Sequence, residues 1–227
     1  FFLYSRQYRY NSKNQSSELN KNNMENQHDA YKISLPSISL TNADERAKLL
    51  LEAAKKQTGM VPNMYENMAN FPALLETYGT GYNLFRKEGG FTPAEQEVIF
   101  LTISKENGCD YCMAAHSVVA DMMSKVPVAV TDAIRNDEEI PDAKLRVLSK
   151  FTSVMLNKRG RPSEEDVQEF LMAEYTEKHI LAIILAISVK TISNYSNHIF
   201  QTEVDTMFKA REWSAYKLGR KLVNFFR

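Results

Sequence analysis

From Asn42 onward the apolar residues recur at three- and four-residue steps almost without a break, which is the period of a helix face turned toward a core. Runs of β-branched residues are few, and the whole chain holds only eight glycines. No hairpin turn, no strand-helix-strand alternation and no fixed repeat period interrupts the pattern. A chain patterned this way has no means of building a sheet, and the expected fold class is all-α: a compact multi-helix bundle.

Stop and start signals divide the bundle. Thr41 or Asn42 is placed to cap a helix from about Ala43 to Gln57, with Leu49, Leu50 and Ala53 inward and Gly59 closing it. GMVPN reads as a turn. A helix from Pro72 carries Leu74, Leu75, Tyr78, Tyr82 and Phe85 on one face and ends at Gly89-Gly90. Thr92-Pro93-Ala94-Glu95 supplies a cap, a proline at the first helical position and an acidic first turn. Asn107-Gly108 stops that helix, and the next runs to about Lys125. Pro127, Pro141 with Asp142, and Pro162 with Ser163 open three more; Glu177 to Phe200 reads as a long, mostly buried helix and Trp213 to Phe226 as an amphipathic one.

At 227 residues the chain is long enough to bury its own core without staples. We read residues 31–227 as one all-α domain, and residues 1–30 as a polar N-terminal arm, because NSKNQSSELNKNNMENQ is of low complexity and poor in core formers. Phe1, Phe2 and Tyr4 would anchor this arm on a neighbouring subunit. Met24 opens a smoother stretch, so residues 1–23 read either as a native extension or as an added segment. Lys plus Arg equals Asp plus Glu at 28 each, leaving no basic footprint for nucleic acid or an anionic membrane. The start is too polar for a signal sequence, and the longest uncharged apolar run, Ile180 to Val189, is short of a membrane span. Two cysteines fit a reducing, cytoplasmic location.

Both cysteines lie in GCDYCMAAHS, residues 108–117, together with His116. On a helix turning about 100° per residue, Cys109, Cys112 and His116 share one narrow face. His116 would stand roughly 6 Å along the axis from Cys112 and lean back toward it, because helical side chains tilt toward the N-terminus. A helix N-terminus, an imidazole and a C-x-x-C partner each lower a thiol pKa, and a pair at i and i+3 can close a disulfide, so these residues could carry a full thiol redox cycle. Two other readings fit the residues. The cysteines could pack as small hydrophobes, or bind zinc together with His116 and a fourth ligand such as Glu97 or His198. A thioredoxin-like pair is disfavoured by the missing βαβ context. Asn194, Asn197 and His198 form a polar strip that needs a partner helix, a neighbouring subunit or a substrate pocket.

Glu97, then Cys109-x-x-Cys112-x-x-x-His116 on the next helix, resembles the signature of the alkylhydroperoxidase D-like branch of the carboxymuconolactone decarboxylase family. GMVPNMYENMANFPALLETY resembles that family's opening helices and FTPAEQEVIFLTISKENGCDYCMAAHSVVA its central block. The likeness is good over residues 44–135 and looser over 142–205. It implies an all-α fold, homo-oligomers (trimers or hexamers), no bound cofactor or metal, and thiol-dependent peroxidase or disulfide oxidoreductase chemistry.

In the roles so implied, Cys109 and Cys112 form the redox-active disulfide, His116 is base and proton shuttle, and Glu97 orients it. The substrate is a peroxide or disulfide, and the partner is a dithiol donor such as a lipoylated protein, or a peroxiredoxin. The apolar neighbours Phe100 and Leu101 lead us to expect a raised pKa at Glu97. Where the peroxidase form of the motif has a second histidine, this chain has Tyr111, a possible auxiliary group but a poor base near neutrality. The alternatives are a decarboxylase or lactone enzyme using His116 as acid or base, and a non-catalytic helical oligomer with packed or zinc-bound cysteines.

Overall fold

The computed structural model describes residues 30–211; the arm up to residue 29 and the helix expected at Trp213 to Phe226 lie outside the described residues. Of the described residues, 35–211 belong to one compact unit. Among the described residues there are nine α-helices and no strand: α1 (Glu45–Thr58), α2 (Asn63–Met68), α3 (Pro72–Glu88), α4 (Pro93–Glu106), α5 (Asp110–Met122), α6 (Val128–Asn136), α7 (Ala143–Asn157), α8 (Glu164–Met172) and α9 (Glu177–Phe200). A 3₁₀ turn at Thr206–Arg211 follows.

Local chemistry sets most boundaries. Thr92 and Glu95 close a capping box at α4, Ser163 and Asp166 do so at α8, and Asp142 caps α7 through the Leu145 amide. The first helix starts later than expected because Asp44, not Thr41 or Asn42, accepts the Ala47 amide. Its buried face also differs: Ala47, Leu51 and Ala54 point inward and Leu49 is exposed. Several apolar residues in that run fit more than one stripe, and packing on α3 selects one. Two further expectations need correction. α2 occupies what the sequence left unassigned after GMVPN, and α5 stops at Met122, with Lys125 at positive φ in the turn beyond.

Helix α4 is the axis of the bundle. Every residue from Gln96 to Ser104 is buried, as expected of a helix apolar on all sides, because α5, α6, α7 and α9 pack around it. Helix α9 crosses α2, α3, α4, α5 and α7. At the α3 crossing Gly81 lets the backbones close: a Cβ there would meet Val189 Cγ2 at 2.8 Å.

Helix α9 is less buried than its sequence implied, at 39% of its most apolar window, with Leu181, Ile184 and Tyr195 exposed. By length and composition it could also cross a membrane, with a mean hydropathy of 1.3 over that window. The Ile180 to Val189 run understated it, because the helix continues through scattered polar residues. The buried face of α9 carries Lys190, Ser193, Asn194 and Asn197, and this polar stripe is laid against the start of α5.

Candidate active site

Gly108, at φ 67°, turns the chain between α4 and α5 in the left-handed region that a side chain disfavours. Cys109 is then the N-cap residue of α5 and Cys112 lies in its first turn. Both are buried, with free thiols, 3.4 Å apart. Asn197 reaches in from α9, its Nδ2 donating to Cys112 Sγ at 3.3 Å and to Met64 Sδ at 3.2 Å, with Cys109 Sγ at 3.9 Å. Ser193 Oγ stands 3.9 Å from Cys112 Sγ.

One turn further along α5, His116 Nδ1 lies 2.8 Å from Glu97 Oε2. Arg86, from α3, clamps the other oxygen of Glu97 and also bonds Tyr82 Oη at 2.7 Å and Gln96 Oε1 at 3.0 Å. The Arg86 guanidinium stacks over the Phe100 ring at 4.8 Å, and the His116 ring lies 4.9 Å from the same ring. Three helices thus converge on one carboxylate.

The electrostatics follow from these contacts. Burial pushes the Glu97 carboxyl up, but His116 and Arg86 outweigh it and hold the group below its ordinary value. The raised pKa expected at Glu97 is therefore corrected: the apolar neighbours are present, but so is the guanidinium of Arg86. Burial, with the charge of Lys190 behind it, lowers His116 although Glu97 opposes both. A neutral His116 facing an ionised Glu97 carries its proton on Nδ1, leaving Nε2 as the basic atom.

The thiols are driven apart. Burial raises Cys112, yet its hydrogen bond with Cys109 and the charge of Lys190 bring it well below the ordinary thiol range. Cys109 is raised well above that range by its bond to Cys112 and by burial. The two shifts make Cys112 the more acidic thiol of the pair and Cys109 the less acidic. No hydrogen bond joins His116 to either cysteine among the described residues, so the leaning imidazole expected from helix geometry is tied to Glu97 instead.

The structure thus brings Glu97, His116, Cys109 and Cys112 into one buried cluster, and gives Tyr111 a different task. The Tyr111 hydroxyl donates to Asp205 Oδ2 at 2.5 Å, and Asp205 Oδ1 accepts the Asn63 amide at 3.1 Å. Burial and that bond raise the phenol, which anchors the segment after α9 to the start of α5. His198, a candidate fourth zinc ligand, is exposed and stacks beside Tyr195. Of the polar strip on α9, Asn194 and Asn197 turn inward, and Asn194 bonds Asn107 at 2.9 Å.

Sequence reasoning missed Arg86 and Lys190. Arg86 reads as an ordinary basic residue in the last turn of α3. Lys190 left a signal, being a lone charge inside the run ILAIILAISVKTIS, a place where lysine is rarely buried without cause.

Residues 71–157, which span α3 to α7, match the family model described as carboxymuconolactone decarboxylase family. No curated protein matches the chain. Among solved structures the chain is similar to the alkylhydroperoxidase AhpD core, an uncharacterized peroxidase-related protein from Ralstonia eutropha JMP134. The two share 21% identity over 77% of this chain and 93% of that one, with a TM-score of 0.68. A peroxidase-related protein from Silicibacter sp. TM1040 gives 20% identity over 79% and 94%, with a TM-score of 0.67. The debrominase Bmp8, as a cysteine-to-alanine variant in complex with 2,3,4-tribromopyrrole, gives 15% identity over 81% and 97%, with a TM-score of 0.64. The likeness to these structures is one of fold. Residues 71–157 thus match the carboxymuconolactone decarboxylase family's model within a helical fold like that of the AhpD core.

Proposed function

We propose that this protein is a thiol-dependent antioxidant oxidoreductase that cycles Cys109 and Cys112 between dithiol and disulfide. The observation that carries the reading is a pair of buried thiols 3.4 Å apart at the start of α5, in surroundings that draw Cys112 below and push Cys109 above the ordinary thiol range. A thiolate is the nucleophilic form of cysteine, and its neighbour is placed to resolve the product.

In the proposed cycle the Cys112 thiolate attacks one oxygen of a hydroperoxide, forming an S–O bond as the O–O bond breaks. Nε2 of His116, whose ring Glu97 and Arg86 hold in place, takes a proton from water and passes it to the departing alkoxide. Cys109 then attacks the Cys112 sulfenic acid; the disulfide forms, and the oxygen leaves as water with the Cys109 proton. An external dithiol, such as a lipoylated protein, reduces the disulfide, becomes a disulfide itself and releases one proton beyond that kept on Cys109. A disulfide substrate or a partner peroxiredoxin would enter by the same thiolate attack. We place this homo-oligomeric enzyme, a trimer or hexamer, in the cytoplasm, where dithiol donors are kept reduced.

The debrominase in the same fold favours a second reading in which the pair removes a halide from an aromatic ring. The Cys112 thiolate would attack the bromine, forming an S–Br bond as the C–Br bond breaks; the ring carbanion would take the Cys109 proton, and the Cys109 sulfur would then attack the Cys112 sulfur, forming the disulfide and expelling bromide. Treating the reduced protein with an alkyl hydroperoxide and counting free thiols tests the first reading. Both thiols should disappear together, one pair per peroxide consumed, and return with a dithiol. Peroxide loss with both thiols still free, or no peroxide loss, would overturn it; bromide release from a bromopyrrole under the same conditions would favour the second.

A further inference from the structure

Lys190 is fully buried, and among the described residues its Nζ has no hydrogen-bond partner. It lies 5.5 Å from the centroid of the Phe100 ring, the ring that Arg86 and His116 also contact. Its backbone carbonyl accepts from Ser193 Oγ, the hydroxyl that faces Cys112. An ammonium ion taken wholly out of water without a counter-charge is among the costliest arrangements a core can hold.

The groups around it narrow the choice of partner. Glu97 already has two partners, Arg86 and His116. From α3 the phenols Tyr78 and Tyr82 face the site, with Tyr65 behind them from α2, and burial raises all three, so they are neutral. From α5 come Cys109, which is protonated, and Tyr111, whose hydroxyl is bound to Asp205. The group left to answer its charge is Cys112, which faces the hydroxyl of Ser193 one turn along α9 and whose acidity Lys190 increases.

We infer that Lys190 is the resident counter-cation of the Cys112 thiolate, a positioning residue that keeps this thiol ionised in a dry core and leaves the site with an unbalanced buried charge once the disulfide closes. The inference rests on the redox reading above and adds a consequence. Closing the disulfide removes the negative charge and leaves the ammonium, so the reduced state is favoured for as long as Lys190 is present.

The test compares the full-length reduced protein with Lys190→Met and Lys190→Arg. Lys190→Met removes one member of the pair, but Cys112 can then take up a proton, so no uncompensated charge is left in the core; a thermal melt checks that the variant folds. Alkylation of Cys112 by iodoacetamide, followed across pH by peptide mass spectrometry, should show a reactive thiolate in acid for the wild type. In Lys190→Met the rate near neutrality should fall at least tenfold and recover only in alkali, and Lys190→Arg should restore most of the acidic reactivity. The thiol-disulfide equilibrium against a reference dithiol should shift toward disulfide by about tenfold, which is about 30 mV for a two-electron couple.

Lys190→Met with the wild-type rate profile, or a wild-type Cys112 that reacts only in alkali, would overturn the assignment. If instead the Lys190-dependent acidic thiolate is found but peroxide and dithiol produce no turnover, the redox reading fails while the role of Lys190 stands.

Discussion

A carboxyl group with no solvent exposure should titrate high, and Glu97 does not, because two cationic partners reach it from α3 and α5. The sign of its contribution to stability follows. Its folded pKa lies below the ordinary 4.5, so the unfolded chain binds the proton first and Glu97's contribution, present above pH 4.5, is lost as pH falls through the folded value. His116 acts in the same direction from higher pH. Its pKa is lowered from 6.5, so acidification below about that value again favours the unfolded chain. Urea unfolding measured from pH 8 down to pH 4 should show stability falling below about pH 6.5 and falling more steeply below 4.5. In Glu97→Gln the later fall should be reduced.

The same residue carries a kinetic prediction. Without Glu97 the His116 ring loses the partner that fixes its tautomer, and loss of a positioned proton shuttle costs on the order of 100-fold in rate. Glu97→Gln should lower dithiol-dependent peroxide turnover by about that factor, with Cys112 alkylation still rapid in acid, as stopped-flow and mass spectrometry would show.

At the scale of the element, the site depends on how closely α9 approaches α3 and α5. Val189 is buried, β-branched and stiff, so it yields little to a methyl group placed 2.8 Å away. Gly81→Ala should therefore destabilise the fold by about 1 kcal/mol, overpacking outweighing the helix propensity that alanine gains; chemical denaturation measures it. Equal or higher stability would mean that α3 and α9 can part without cost.

Helix boundaries in this chain were legible wherever they rest on neighbouring residues. Thr92-Pro93 with Glu95, Asn107-Gly108 and the limits of α9 follow from caps, a proline and a glycine that need no tertiary partner. The inward face of α1 was not legible, because several of its apolar residues fit more than one stripe and α3 makes the selection.

Across the whole molecule, the motif on α4 and α5 could be found in the sequence because its residues lie within twenty positions, at helical spacing and in a recognisable order. The groups that set its chemistry could not. Arg86 comes from α3, and Lys190 and Asn197 come from α9, far along the chain from Cys112. The helix N-terminus alone would favour Cys109 as the thiolate, and the imidazole of His116 alone would favour Cys112. The choice between them turns on the Asn197 amide, which donates to Cys112 Sγ, and on the charge of Lys190, and both belong to the assembled bundle.

The most direct test of the account is single-turnover oxidation of the two single-cysteine proteins by one equivalent of alkyl hydroperoxide, with a dimedone-type trap for sulfenic acid. Cys109→Ser should consume the peroxide and yield trapped sulfenic acid at Cys112, while Cys112→Ser should consume little and yield none at Cys109. Sulfenic acid formed on Cys109 in Cys112→Ser, or dithiol-dependent turnover undiminished in that variant, would contradict the assignment of Cys112 as the attacking thiolate.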